Sequence, residues 1–86
     1  MSIVRLRAGT GEVEFSASSN HLGEVLKEVA EKYRIADLIF AEGKVRPWAR
    51  ILVNGRSQEF IGGLNARLSE GDRIALIFSF PYHENV

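Results

Sequence analysis

The stretch Arg50-Ile51-Leu52-Val53-Asn54-Gly55-Arg56 is the key to the fold. Its unbroken apolar run, Ile51-Leu52-Val53, reads as a strand inside a sheet. Asn54-Gly55 then reads as a two-residue hairpin turn, because both residues accept positive φ at low cost. A short return strand is expected over Gln58-Glu59-Phe60. Gly62-Gly63 break it, Leu64 and Leu68 are placed in a tight turn over the core, and Glu70-Gly71-Asp72 turns the chain once more. The run Ile74 to Phe80 is the most strand-like segment of all. Strand alternation puts Ile74, Leu76, Phe78 and Phe80 on its core-like face and Arg73, Ala75, Ile77 and Ser79 on the other.

Nearer the N-terminus, Ile3 to Arg7 alternates, with Val4 and Leu6 on one side and Ile3, Arg5 and Arg7 on the other. Gly9-Thr10-Gly11 punctuates, and Glu12 to Ser16 alternates again with Val13 and Phe15 together. These two runs read as a hairpin with one buried face. From Leu22 the period changes. Leu22, Val25, Leu26, Val29, Ala30 and Tyr33 form a helical stripe, with Glu24, Lys27, Glu28, Glu31 and Lys32 opposite. Ser18, Ser19 and Asn20 mark the helix start; both an Asn20 cap and a His21/Glu24 capping box fit the spacing. Glu28 and Lys32 are spaced as a favourable i,i+4 pair. Between Arg34 and Trp48, Leu38-Ile39-Phe40 fits either a short strand or an extra helical turn, and Glu42-Gly43-Lys44 a turn.

Composition narrows the function. Eighty-six residues make one domain, 1–86, with room for one compact core. Eleven basic residues cancel eleven acidic ones, which removes the electrostatic motive for a nucleic-acid partner. No run of eighteen apolar residues occurs, so no membrane span is expected, and Arg5 and Arg7 do not fit a secretory signal. The cytoplasm is the expected compartment. Cysteine is absent, which excludes thiolate nucleophiles and sulfur-ligated metals.

The order strand, strand, helix, strand, short strand, strand predicts an α+β chain: a four- to five-stranded mixed sheet covered on one face by one main helix. With the first and last strands parallel at its centre, this is the β-grasp (ubiquitin-like) arrangement. The ordered set Arg50 to Arg56, Phe60, Gly62-Gly63-Leu64, Leu68 and Gly71-Asp72, with Leu22-Gly23-Glu24-Val25-Leu26 at the helix start, resembles the MoaD and ThiS sulfur carriers. The small subunit of molybdopterin synthase is the nearest likeness. The resemblance covers most of the chain and is loosest between Arg34 and Trp48. It implies no cofactor and no catalytic role for the domain alone. In that family a terminal Gly-Gly is adenylated by an activating enzyme and converted to a thiocarboxylate, which requires a slim tail able to enter partner active sites. Counted without gaps from Gly71-Asp72, the family's prolines fall at Phe78 and Ser79 and its glycines at Tyr82 and His83, with Glu84-Asn85-Val86 beyond. The carrier chemistry is therefore not expected to transfer. The expectation is a non-carrier, protein-binding module of a molybdenum-cofactor or related sulfur-transfer pathway. An authentic carrier with an altered or processed tail and a self-associating structural domain are the alternatives.

Few side chains form chemical constellations. His21 and His83 are the only histidines, too few for a metal site, and read as a helix-start and a tail residue. Glu12 and Glu14 share a strand face opposite Arg5 and Arg7, so charge pairing across the hairpin is a better account than acid–base catalysis. Gly62-Gly63 lacks the strand–loop–helix frame of a phosphate cradle. A sheet covered on one side leaves its second face open, where Ile77, with Ile51 or Leu52, forms an apolar patch of the kind that marks protein partners. The resemblance implies that a synthase-like large subunit or an activating enzyme docks on this face and on the tail. A homodimer through the same face is the other expected use. Alternatively, the 34–48 segment covers it, with Trp48 as a lid. Ser79 shares the open face with Ile77, while Phe80, Pro81 and Tyr82 either seal the domain or project as an anchor.

Overall fold

The computed structural model describes residues 2–8 and 11–79. Strands β1 (Ser2–Ala8) and β2 (Gly11–Ala17) form the expected hairpin, with Arg5 opposite Glu14 and Arg7 opposite Glu12. Helix α1 (Leu22–Tyr33) follows, then a single turn of helix, α2 (Ala36–Ile39). The short strands β3 (Phe40–Ala41) and β4 (Lys44–Val45) pair with each other. Strands β5 (Ala49–Val53), β6 (Arg56–Ser57) and β7 (Arg73–Phe78) complete the main sheet. Its order is β2-β1-β7-β5-β6. The first and last strands meet at the centre, β1 parallel to β7, while the other pairs are antiparallel.

One face of this sheet meets α1. Val4, Leu6, Phe15, Ile51, Val53, Ile74 and Leu76 are buried there against Leu22, Val25, Leu26, Val29 and Ala30 of the helix. Burying a side chain of this size contributes roughly 1.5–3 kcal/mol, so the apolar stripe drives helix and sheet together far more than helix propensity does. The stripe runs out at Tyr33, which is 43% exposed at the helix end.

The helix start is held by backbone rather than by a side-chain cap. His21 occupies the cap position in extended geometry, and neither it nor Asn20 makes a side-chain capping bond. Instead the Leu22 N–H donates to the Ala66 carbonyl at 2.9 Å, and the Leu68 N–H to the Asn20 carbonyl at 2.6 Å. These bonds clamp the 66–68 segment onto the start of α1, and Ala66 and Leu68 are buried as a result. Glu28 does not pair with Lys32: its carboxylate accepts bonds from the Ser18 N–H and hydroxyl. The helical ion pair is Lys27–Glu24 at 3.9 Å.

The helix ends in a Schellman motif. Arg34 is left-handed, φ 56°, and the Ile35 N–H reaches back to the Ala30 carbonyl at 2.9 Å. That turn seats Ile35 against the core. Both expectations for Leu38-Ile39-Phe40 contain part of the answer, since the helix runs through Ile39 and the strand begins at Phe40. Glu42-Gly43 is the turn, with positive φ at both positions.

The return strand after Asn54-Gly55 is shorter and earlier than expected. Only Arg56 and Ser57 pair with β5, opposite Val53 and Leu52. Gln58-Glu59-Phe60 is a 3₁₀ turn, and it leaves Phe60 82% exposed. A second 3₁₀ turn, Gly63–Asn65, begins within the Gly62-Gly63 pair, and both glycines have positive φ, as the turn reading expects.

Candidate functional interface on the open sheet face

Strand alternation and register define the face turned away from α1. One row across it holds Glu14, Arg5 and Arg73; the next holds Glu12, Arg7, Ala75, Leu52 and Ser57; a third pairs Ile77 with Arg50. Ile77 is 45% exposed, and Leu52 and Ala75 are half-buried. Because Ala75 is small and its neighbours are large, the face is dished. An open depression of about 680 Å³ is lined by Arg7, Glu12, Leu52, Arg73, Ala75 and Ile77 among others.

Ile51 is corrected by this register. It stands opposite Leu76 on the helix side of the sheet and is 1% exposed, so it belongs to the core. Leu52, opposite Ala75, is the residue of that run on the open face. Ser79 is exposed, and its N–H donates to the Trp48 carbonyl at 2.7 Å, extending the β5–β7 ladder by one bond. Phe80, Pro81, Tyr82 and His83 lie outside the described residues.

Trp48 is not a lid over Ile77. Its indole Nε1–H donates to the Leu38 carbonyl at 3.2 Å, and its ring stacks with the Arg46 guanidinium at 4.9 Å. These two contacts are made within its own segment, and no residue of 34–48 lines the depression around Ile77.

The charged groups on this face are unevenly matched. Glu12 lies directly opposite Arg7 yet forms its ion pair diagonally, with Arg5, at 3.8 Å. This bears out charge pairing across the hairpin, and it leaves Arg7 aside. Local pattern pairs Arg7 with the hairpin carboxylates and does not show that Arg73 lies beside Arg5, and Ala75 beside Arg7, across the sheet. The parallel register, which sets Arg5 beside Arg73 and Arg7 beside Ala75, is a long-range fact that local patterns do not carry.

Elsewhere the described residues offer little chemistry. They contain no group of three His, Cys, Asp or Glu able to hold a metal ion. His21 sits at the helix start, as expected, and Glu14 is exposed. A second apolar depression lies at the far end of α1, lined by Val13, Tyr33, Ile35 and Phe78 among others. No described helix is long and apolar enough to cross a membrane.

Comparison with known proteins places this geometry. The model of the ThiS family matches residues 3–78. No curated protein matches the chain in sequence. Among solved structures, the small archaeal modifier protein 1 of Methanosarcina acetivorans superposes with a TM-score of 0.79 at 21% identity, covering 96% of this chain and 98% of that one. Mycobacterium tuberculosis CysO gives 0.71 at 25% identity, over 90% of this chain and 99% of its own. A chain of the Amycolatopsis orientalis BexX/CysO complex gives 0.75 at 22%, over 93% and 99%. These likenesses confirm the α+β, ubiquitin-like β-grasp fold. The family match runs from the first strand to the last residue of β7, and the chain belongs to the ThiS family.

Proposed function

We propose that this domain is a protein-binding module of a molybdenum-cofactor or related sulfur-transfer pathway, docking through its open sheet face, and that it does not itself carry sulfur. The observation that carries the reading is the exposed Ile77 beside Leu52 and Ala75, in a depression that no other described segment covers. Membership of the ThiS family supports the pathway, and the BexX/CysO complex is a precedent for a relative of this fold in a protein assembly. The partner is a synthase-like large subunit or an activating enzyme. The cytoplasm suits this role, since an adenylating partner needs ATP.

The non-carrier part rests on the residues at the family's reactive positions. Tyr82 and His83 stand where the two glycines are expected, and both are too wide for a channel built around bare backbone. The experiment is intact-mass analysis of the full chain after incubation with the cognate activating enzyme, ATP and a sulfur donor, alongside the protein recovered from its native cells. An unmodified mass in both supports the proposal. An acyl-adenylate, a thiocarboxylate or a native species trimmed to a small residue overturns it in favour of the carrier reading.

A further inference from the structure

We infer that the depression over Ala75 recognises a carboxylate-bearing side chain, glutamate in particular, presented by an acidic surface of the partner protein. The inference rests on the docking reading above and specifies its chemistry. In a chain of zero net charge, the open face carries four exposed arginines, Arg5, Arg7, Arg50 and Arg73, against two glutamates, Glu12 and Glu14. The face is therefore basic although the protein is not.

Position sharpens the point. Arg7 is next to Ala75 across the β1–β7 pair, and Arg73 is two residues before Ala75 on the same strand and the same face. Both line the depression with Ala75, Leu52 and Ile77. The carboxylate nearest in register to Arg7, that of Glu12, is engaged with Arg5. Among the described residues, neither the Arg7 nor the Arg73 guanidinium has an ion-pair or hydrogen-bond partner. Asn54 satisfies only the backbone of Arg73, accepting from its N–H at 3.0 Å. An apolar floor of Ala75 and Leu52 beneath two uncommitted guanidiniums matches a side chain with a methylene stem and a carboxylate head. Arginine favours such a head because its planar fork meets both carboxylate oxygens. A purely apolar partner surface would instead leave these arginines desolvated without a partner, at a cost.

The test is an NMR titration of the full chain with a doubly blocked glutamate (N-acetyl, N-methylamide), with the equally blocked glutamine as control. We expect saturable, millimolar binding of the glutamate probe, read at the Ala75 methyl and the Arg7 and Arg73 Nε–H signals. Glutamine should bind at least tenfold more weakly. The double variant Arg7→Gln/Arg73→Gln changes exposed side chains only and should lose the difference between probes. Equal shifts from both probes, no shift from either, or undiminished glutamate binding in the double variant would overturn the inference. A parallel titration with the cognate activating enzyme separates the two levels of the account. Loss of docking in Ile77→Asp with no loss in the double variant rejects acidic recognition and keeps the docking face. No loss in either rejects both.

Discussion

Asn54→Ala tests how the sheet is locked. Asn54 is left-handed, φ 53°, a conformation that costs alanine roughly 1 kcal/mol more than asparagine or glycine. Its side chain also joins two loops. Nδ2 donates to Asp72 Oδ1 at 3.1 Å, and Oδ1 accepts from the Arg73 N–H at 3.0 Å. Both bonds are exposed, so each contributes at the low end, about 0.5 kcal/mol. The sum is about 2 kcal/mol, which in a domain of this size lowers the melting temperature by about 8–16 °C. Asn54→Gly keeps the backbone freedom and loses only the bonds, so it should cost about half as much. Thermal unfolding followed by circular dichroism measures both. Equal losses in the two variants would refute the backbone part of the reasoning, and a loss below about 0.5 kcal/mol in Asn54→Ala would refute both parts.

Three further outcomes follow from the geometry. Arg34→Gly removes a left-handed arginine from the Schellman turn at the end of α1 and should raise stability by about 0.5–1 kcal/mol; an unchanged or lower melting point contradicts this. Gly23→Ala should destabilise although it sits in a helix, because the new Cβ would stand 3.0 Å from the Leu64 carbonyl oxygen and 3.2 Å from Leu64 Cβ. The expected loss is about 1 kcal/mol net of the helix-propensity gain, and a gain in denaturant midpoint would show that the Leu64 turn yields freely. Self-association through the open face predicts a sedimentation coefficient that rises with concentration and stops rising in Ile77→Asp; a monomer at all concentrations removes that alternative.

The sequence reveals the parts of this fold that depend on alternation. Val4 and Leu6 against Arg5 and Arg7, or Leu22 through Ala30 along one helical stripe, declare their buried faces because polar residues interrupt them. Ile51-Leu52-Val53 has no such interruption. Its facing is settled only by pairing with β7, a contact between distant segments, and so Ile51 was placed on the wrong side. Phe60 misleads for a different reason. An apolar residue after a hairpin turn reads as a strand, but the edge pairing stops at Ser57 and a 3₁₀ turn carries the phenyl ring outward. Capping is legible only in position: His21 holds the cap site, but the Leu22 N–H is satisfied by the Ala66 carbonyl, more than forty positions away in sequence, and not by a side chain of Asn20 or His21. Within the site, Ile77 and the open face were legible from strand alternation. The free arginines around Ala75 were not, since their proximity comes from the parallel register of the first and last strands.

Isothermal titration of the full chain and its Ile77→Asp variant into the cognate ThiS-family activating enzyme bears most directly on the claim that this face is a docking surface. A carboxylate forced into the centre of an apolar contact should weaken binding by a factor of about 30 or more. Because Ile77 is outside the core, the variant should melt with the wild type. Equal affinities for the two proteins would contradict the account.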